Sequence, residues 1–314
     1  MTIVTHPVQF QSQGTTCRGV LRLPATAPHP VPAIVLCAGF SGTQDTPALR
    51  ATAEMLSQAG FASLTFDYRH FGGSDGHPRQ VLDLAGQQAD IAAALDCVRA
   101  HPGVDPDRIG LWGTSLGGGH AVVVAAGNPA VKAVVAQVPF NGFPRRANGR
   151  SAQSTIRLLI AIAVDRARQR LGLSPRYVPA VGGANSTAVM ASSAAEQTVT
   201  ALRSETWVNR VAPGVLLDMM RYKPADFAPA VRVPLLVCAA ALDQETPEAS
   251  AREIAERAPN GRVITYPISH FDVYRDDVRQ KVLADQLHFL QLTLGDSSSP
   301  DDHAVVGRSP RRPS

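Results

Sequence analysis

The stretch RIGLWGTSLGGGH, residues 108–120, decides the fold: within it Gly113-Thr114-Ser115-Leu116-Gly117 sets one serine between two glycines. An apolar run at 109–112 leads in and a small-residue helical pattern at 121–126 leads out, so the context is strand, turn, helix. A Cβ at Gly113 or Gly117 would collide with the adjoining strand or helix, so a serine on so tight a turn needs neighbours without side chains. G-x-S-x-G by itself also describes an ordinary glycine turn ahead of a helix. The strand and helix on the correct sides make Ser115 the candidate for an exposed hydroxyl nucleophile.

Outward from this turn, strand-like and helix-like patterns alternate. Residues 31–38 (VPAIVLCA) form a continuous apolar run, as a strand buried on both faces requires, and 61–67, 109–112, 132–139, 233–240 and 262–267 are further strand candidates. Helical spacing covers 47–59, ending at Gly60, then 80–100, 247–257 and 276–294, while HPGVDPDR at 101–108 is a turn cluster. The alternation predicts an α/β fold with a mostly parallel central sheet flanked by helices. The rhythm breaks at 140–230, where helix-patterned pieces (151–171, 191–204, 211–222) are separated by SPRYVPAVGGAN and no sheet strand stands out. The expected organisation is a core of 1–139 and 231–295, a helical cap or lid at 140–230 over the carboxyl ends of the strands, and a disordered Ser/Pro-rich tail at 296–314.

Composition narrows the function classes. The 314 residues are 45% hydrophobic and 18% charged, enough for a substantial core. The strongly apolar run at 158–164 is far short of a membrane span and the N-terminus carries no signal-peptide pattern, so a cytoplasmic protein with no membrane partner is expected. Cys17, Cys37, Cys97 and Cys238 lack metal-ligand or paired spacing and read as small reduced core residues, with no metal and no cofactor implied. A net charge of +4, without nucleic-acid motifs and with few aromatics, reads as solubility rather than a nucleic-acid surface. The arginines between Arg145 and Arg176 read as a water-exposed helix face rather than a grip on an acidic substrate. The expected partner is a small-molecule acyl substrate, and a second copy of the chain is the one macromolecular partner left open.

A serine hydroxyl needs a base within hydrogen-bond reach and a group to orient that base. Of the nine histidines, His270 follows the strand candidate RVITYP through Ile268-Ser269 and precedes the last helix, which places it in a loop at a strand's carboxyl end. His70, after the 61–67 strand, is its rival; His120 is expected to pack, His288 lies on an amphipathic helix, and His77 and His101 belong to solvated turns. Asp243 follows the strand VPLLVCAA and is the candidate orienting acid, with Glu245 two residues on as the alternative. A turn or helix-cap aspartate is the bland reading of Asp243. The order Ser115, Asp243, His270, each after its own strand, favours the hydrolase arrangement.

These residues carry a family resemblance. To about residue 295 the chain resembles the α/β-hydrolases: GTSLGGG is similar to the nucleophile elbow, LDQETP to the acid loop, SHFDVY to the histidine loop, and FDYRHFGGSDG to the strand and turn that follow the oxyanion loop. Within the superfamily it is most similar to dienelactone-hydrolase-like and X-Pro-dipeptidyl-peptidase-like bacterial serine esterases. The resemblance implies that CAGFSG, residues 37–42, is the oxyanion loop, with the backbone N–H groups of Phe40 and Leu116 facing the developing oxyanion. Ala38 stands where the family usually has a histidine, which implies altered substrate preference, and the strand-end Asp67 and Arg69 are expected to brace loops. The reading is a cofactor-independent serine hydrolase acting on an ester, thioester or lactone. Its alternatives are a peptidase, acyltransferase or cyclase using the same triad, and a non-catalytic binder on the same scaffold.

Overall fold

A computed structural model describes residues 2–25, 30–143 and 150–295. Two strands at the N-terminus, β1 (Ile3–Ser12) and β2 (Thr15–Pro24), form an antiparallel hairpin that the sequence pattern did not single out. Its two-residue turn places Gln13 at φ 48° and Gly14 at φ 80°, the left-handed pair that matches the twist of the flanking strands. The strands that follow are β3 (Val31–Cys37), β4 (Ala62–Phe66), β5 (Val104–Thr114) and β6 (Val131–Gln137). Two short strands, β7 (Val181–Gly182) and β8 (Met190–Ala191), precede β9 (Leu235–Ala240) and β10 (Gly261–Tyr266). Eight of them form one sheet in the order β1-β2-β4-β3-β5-β6-β9-β10, parallel from β4 to β10.

Every residue of β4 and β9 is buried, as strands covered by helices on both faces are, whereas β10 at the edge is only partly covered. The major helices of the sheet layers are α1 (Pro47–Gln58), α2 (Leu84–Arg99), α3 (Leu116–Gly127), α7 (Glu248–Arg257) and α8 (Asp276–Leu294), with α4 (Ala152–Arg170), α5 (Ser193–Leu202) and α6 (Leu216–Met219) lying in the segment between β6 and β9. α1 packs on α8 along one face, and α2 packs on α3 along the other. The expected α/β fold with a mostly parallel sheet is therefore the observed one.

Three expectations need correction. The turn cluster at 101–108 is partly strand: Val104 pairs with Val31, the register then shifts, and pairing resumes at Ile109 with Ala33, so the Asp-Pro-Asp chemistry makes an irregularity inside β5 rather than ending it. The second helix starts at Leu84 rather than 80, because the Gln80 amide donates to His70 O and Gln80 O accepts from Ala212 N, which commits this backbone to tertiary contacts. In the 140–230 segment, α4 (Ala152–Arg170) and α5 (Ser193–Leu202) are helices as expected, but β7 and β8 pair in parallel there. Pro213 and Gly214 confine the third piece to a 3₁₀ turn and the four-residue α6 (Leu216–Met219). The tail expected to be disordered, 296–314, lies outside the described residues, as do Arg145 and Arg146. Among the described residues no helix is long and apolar enough to cross a membrane.

Asp67 braces loops, as expected, by accepting from Gln44 and Gly73, whereas Arg69 ties the end of β4 to α2 and to Ser12. The Arg69 guanidinium donates to Asp90 Oδ1 at 2.7 and 2.9 Å, and Asp90 Oδ2 accepts the Arg69 amide, with both residues buried. Asp90→Ala leaves a guanidinium at a buried site without its counter-charge, and urea denaturation is expected to show a loss of about 3–5 kcal/mol.

Candidate active site

Ser115 sits between β5 and α3 with φ 52° and ψ −121°, a left-handed conformation that costs a non-glycine residue of order 1–3 kcal/mol. The turn is tight for the reason the sequence suggests. A Cβ on Gly113 would lie 2.2 Å from Gly117 O, and one on Gly117 would lie 2.3 Å from Cys37 O and 2.4 Å from Ala38 O. The conformation is held by the surrounding backbone: Ser115 N donates to Gln137 O at 2.9 Å, and Ser115 O accepts from Phe140 N at 2.9 Å. Below it, Trp112 Nε1 donates to Gln286 Oε1, Gln286 Nε2 to Gln137 Oε1, and Gln137 Nε2 to Thr114 Oγ1. This buried chain links β5, β6 and α8 directly under the nucleophile candidate.

The structure brings Ser115, His270 and Asp243 together from the ends of three strands. His270 Nε2 is 3.2 Å from Ser115 Oγ, and His270 Nδ1 is 2.7 Å from Asp243 Oδ2. All three residues are buried. His270 opens a short 3₁₀ turn whose entry is fixed by Asp272, which accepts from the Ser269 amide at 2.7 Å and the Ser269 hydroxyl at 2.8 Å. Asp243 Oδ1 accepts the amides of Glu245 (2.8 Å) and Thr246 (2.7 Å), so the Asx-type turn that could have been its sole role also aims its second oxygen at the imidazole.

Thr246 was missed by sequence reasoning. Its hydroxyl lies 2.8 Å from Asp243 Oδ2, 3.1 Å from Val138 O and 3.2 Å from His270 Nδ1, and only the tertiary fold brings β6 to this loop. The rival His70 is turned away, with Nδ1 3.0 Å from Pro78 O. His120 packs as expected, between Tyr222 Oη (2.7 Å) and Gln87 Oε1 (3.1 Å), and burial depresses it to about 3. His101 departs from the solvated reading: its Nδ1 accepts the Gly103 amide.

Phe40 and Leu116 border the same space as Ser115. Neither amide donates to an acceptor among the described residues, Leu116 because it opens α3. The Phe40 loop passes close under the serine: a Cβ on Gly39 would be 3.3 Å from Thr114 O and 3.4 Å from Ser115 Cβ. Two carboxylates anchor this loop. Asp67 accepts the Gln44 amide (2.8 Å) and side chain (2.9 Å), and burial lifts its carboxyl above the usual range against these donors. Asp45 accepts from Ser204 Oγ, Thr206 Oγ1 and Thr206 N at 2.8–2.9 Å, tying the loop to the 140–230 segment.

Above Ser115 lies a cavity of about 260 Å³, lined by Phe40, Phe140, Leu158, Met190, Leu216 and Met219, with Arg150, Glu245 and His270 as charged or titratable members. A smaller recess of about 30 Å³ lies beside Ser115 against Ala38, Leu49, Leu202 and Tyr274. Arg150 departs from the expected water-facing role: it lines the cavity and donates to Val189 O at 2.7 Å. Among the described residues no cluster of His, Cys, Asp and Glu could hold a metal ion.

With this geometry in place, the chain can be set beside known proteins. Residues 28–275 match the family described as "Serine aminopeptidase, S33", and the chain belongs to this family of α/β-hydrolases. It is 34% identical to the quorum-quenching protein AidA of Acinetobacter baumannii over 90% of this chain and 93% of that one. It is 26% identical to the polyketide transferase ATR5 of Stachybotrys chlorohalonatus, over 94% of this chain and 99% of that one. The solved α/β hydrolase GrgF from Penicillium sp. sh18 superposes with a TM-score of 0.76 at 24% identity, covering 93% of this chain and all (100%) of that one.

Burial pulls the His270 imidazolium down, but the charge and hydrogen bond of Asp243, with a further contribution from Glu245, outweigh it and hold its pKa above the ordinary histidine value of 6.5. In NMR titration His270 is expected to protonate above pH 6.5, and Glu245→Gln, which removes one raising charge, is expected to move that midpoint downward.

Proposed function

We propose that this protein is a serine hydrolase that cleaves a carboxylic ester, thioester or lactone through an acyl-enzyme. The observation that carries the proposal is the unbroken relay Ser115 Oγ to His270 Nε2 (3.2 Å) and His270 Nδ1 to Asp243 Oδ2 (2.7 Å) at the floor of an apolar cavity. Ser115 attacks the carbonyl carbon as His270 takes its proton. Asp243 holds the imidazole with Nδ1 protonated and stabilises the imidazolium. The amides of Phe40 and Leu116 hold the oxyanion, each donor of this kind being worth about 10² to 10³ in turnover. His270 then returns the proton to the leaving group, and a water activated by the same imidazole releases the acid. The 140–230 segment acts as a cap, because its side chains make up most of the cavity wall.

Transfer of the acyl group to an alcohol or amine in place of water is the second reading, supported by the transferase name of a relative that matches along nearly its whole length. Both readings need the acyl-enzyme, and a non-catalytic binder needs none.

A fluorophosphonate probe is expected to label Ser115, and Ser115→Ala is expected to lower turnover of p-nitrophenyl esters by at least about 10³-fold. Unchanged turnover in that variant would sink the proposal. The neutral imidazole is the base, so kcat/KM rises with pH through the pKa of His270; because that pKa is raised, the ascending limb is expected to have its midpoint above pH 6.5. A stopped assay across pH 5–9 checks this. An added alcohol that diverts the product from acid to ester would establish acyl transfer.

A further inference from the structure

Beside the relay and the oxyanion amides the cavity holds a carboxylate that takes no part in either hydrogen-bond set. Glu245 is half-buried in the wall, in the space that also holds Ser115 and His270. Its position is fixed, since its amide donates to Asp243 Oδ1 at 2.8 Å and so belongs to the turn that aims Asp243. Its carboxylate, however, makes no hydrogen bond and no ion pair with any described residue. The buried carboxylates Asp67, Asp90, Asp165 and Asp243 are all held by donors. Asp67 accepts from Gln44 and Gly73, Asp90 from Arg69, Asp165 from Gly214 and Arg176, and Asp243 from the residues already named.

Two cationic groups are felt at Glu245, His270 first and Arg150 after it, and His270 is engaged by Asp243 and Ser115. The Arg150 guanidinium is already fastened elsewhere, to Ser154 Oγ at 3.3 Å and to Val189 O at 2.7 Å, with Ala188 O as a third acceptor. A carboxylate partly withdrawn from water with no donor in place is disfavoured in its charged form, and partial burial lifts the Glu245 carboxyl above its usual range. A ligand that brings a donor removes that cost.

We propose that Glu245 is a specificity-determining residue whose carboxylate accepts a hydrogen bond from a donor carried by the acyl chain of the substrate, whether a hydroxyl, an amide N–H or an ammonium. The cavity thus selects acyl groups that are apolar along most of their length and bear one donor within reach of the scissile carbonyl. The acyl chain is the part concerned because the adjoining recess beside Ser115 offers only about 30 Å³, whereas the cavity that Glu245 lines offers about 260 Å³ and accommodates a chain. An acyl chain ending in a carboxylate near this point is disfavoured by like charge. The inference rests on the serine-hydrolase reading above.

The test uses p-nitrophenyl esters matched in chain length: a plain alkanoyl, a hydroxyalkanoyl, an N-acetylaminoalkanoyl and a free aminoalkanoyl ester. The readout is the ratio of kcat/KM for each donor-bearing ester to that of the plain one. Because a site with a charged acceptor discriminates strongly for a donor, the native ratio is expected to reach about tenfold or more for at least one class. It is expected to fall to within about twofold of unity in Glu245→Leu. Glu245→Gln keeps an acceptor oxygen without the charge, so it retains part of a preference for neutral donors and loses a preference for the ammonium. Fluorophosphonate titration of Ser115 counts intact sites in every variant, and where Glu245→Leu does not fold, Glu245→Gln decides. A native ratio near unity for all three donors, or a preference that survives in Glu245→Leu, overturns the assignment. Turnover that survives in Ser115→Ala would instead overturn the hydrolase reading.

Discussion

The backbone of Ser115 is the constraint on which the site depends. A residue with a side chain is held at φ 52° where β5 becomes α3, and the neighbouring strands supply what holds it: a carbonyl from β6, an amide from Phe140, and a buried glutamine chain reaching α8. The two glycines are a steric consequence of the same turn, since the β3 carbonyls and the first turn of α3 occupy the space their side chains would need. Strain of this kind persists only where the surroundings over-determine it. Here it sets the hydroxyl within 3.2 Å of His270 and leaves the Leu116 amide unpaired at a helix start.

Much of this was legible in the sequence because it follows from local rules. Continuous apolar runs mark the buried parallel strands, and the motif with its flanks marks the turn at Ser115. The chain order of Ser115, Asp243 and His270 follows from each having its own strand end, and the structure brings those three residues into hydrogen-bond contact. The hairpin β1–β2 escaped notice because its turn is Gln13-Gly14 rather than a stronger turn pair, and because an edge strand that meets water shows little apolar periodicity.

What stayed hidden is tertiary by nature. Thr246 and Arg150 enter the site through contacts between segments distant in sequence, and no pattern in LDQETP or in the arginine-rich segment distinguishes them from turn and surface residues. The same holds for the register shift in β5, where a turn-rich octet is absorbed into a strand because Val104 finds Val31. Glu245 is the instructive intermediate. Sequence placed it beside the acid, and the structure leaves its backbone serving Asp243 while its carboxylate faces the cavity.

Asp45 has a bearing on how the scaffold could be diversified. Its carboxylate joins the Phe40 loop to Ser204 and Thr206, while at the other end of the same segment Phe140 is bonded to the carbonyl of Ser115. The segment therefore leaves the core at Ser115 and is fastened again beside the Phe40 loop. A chimaera carrying a foreign segment from another member of the fold would have to reproduce both seams; a graft that matched only the cavity lining would exchange specificity for a displaced Phe40 amide.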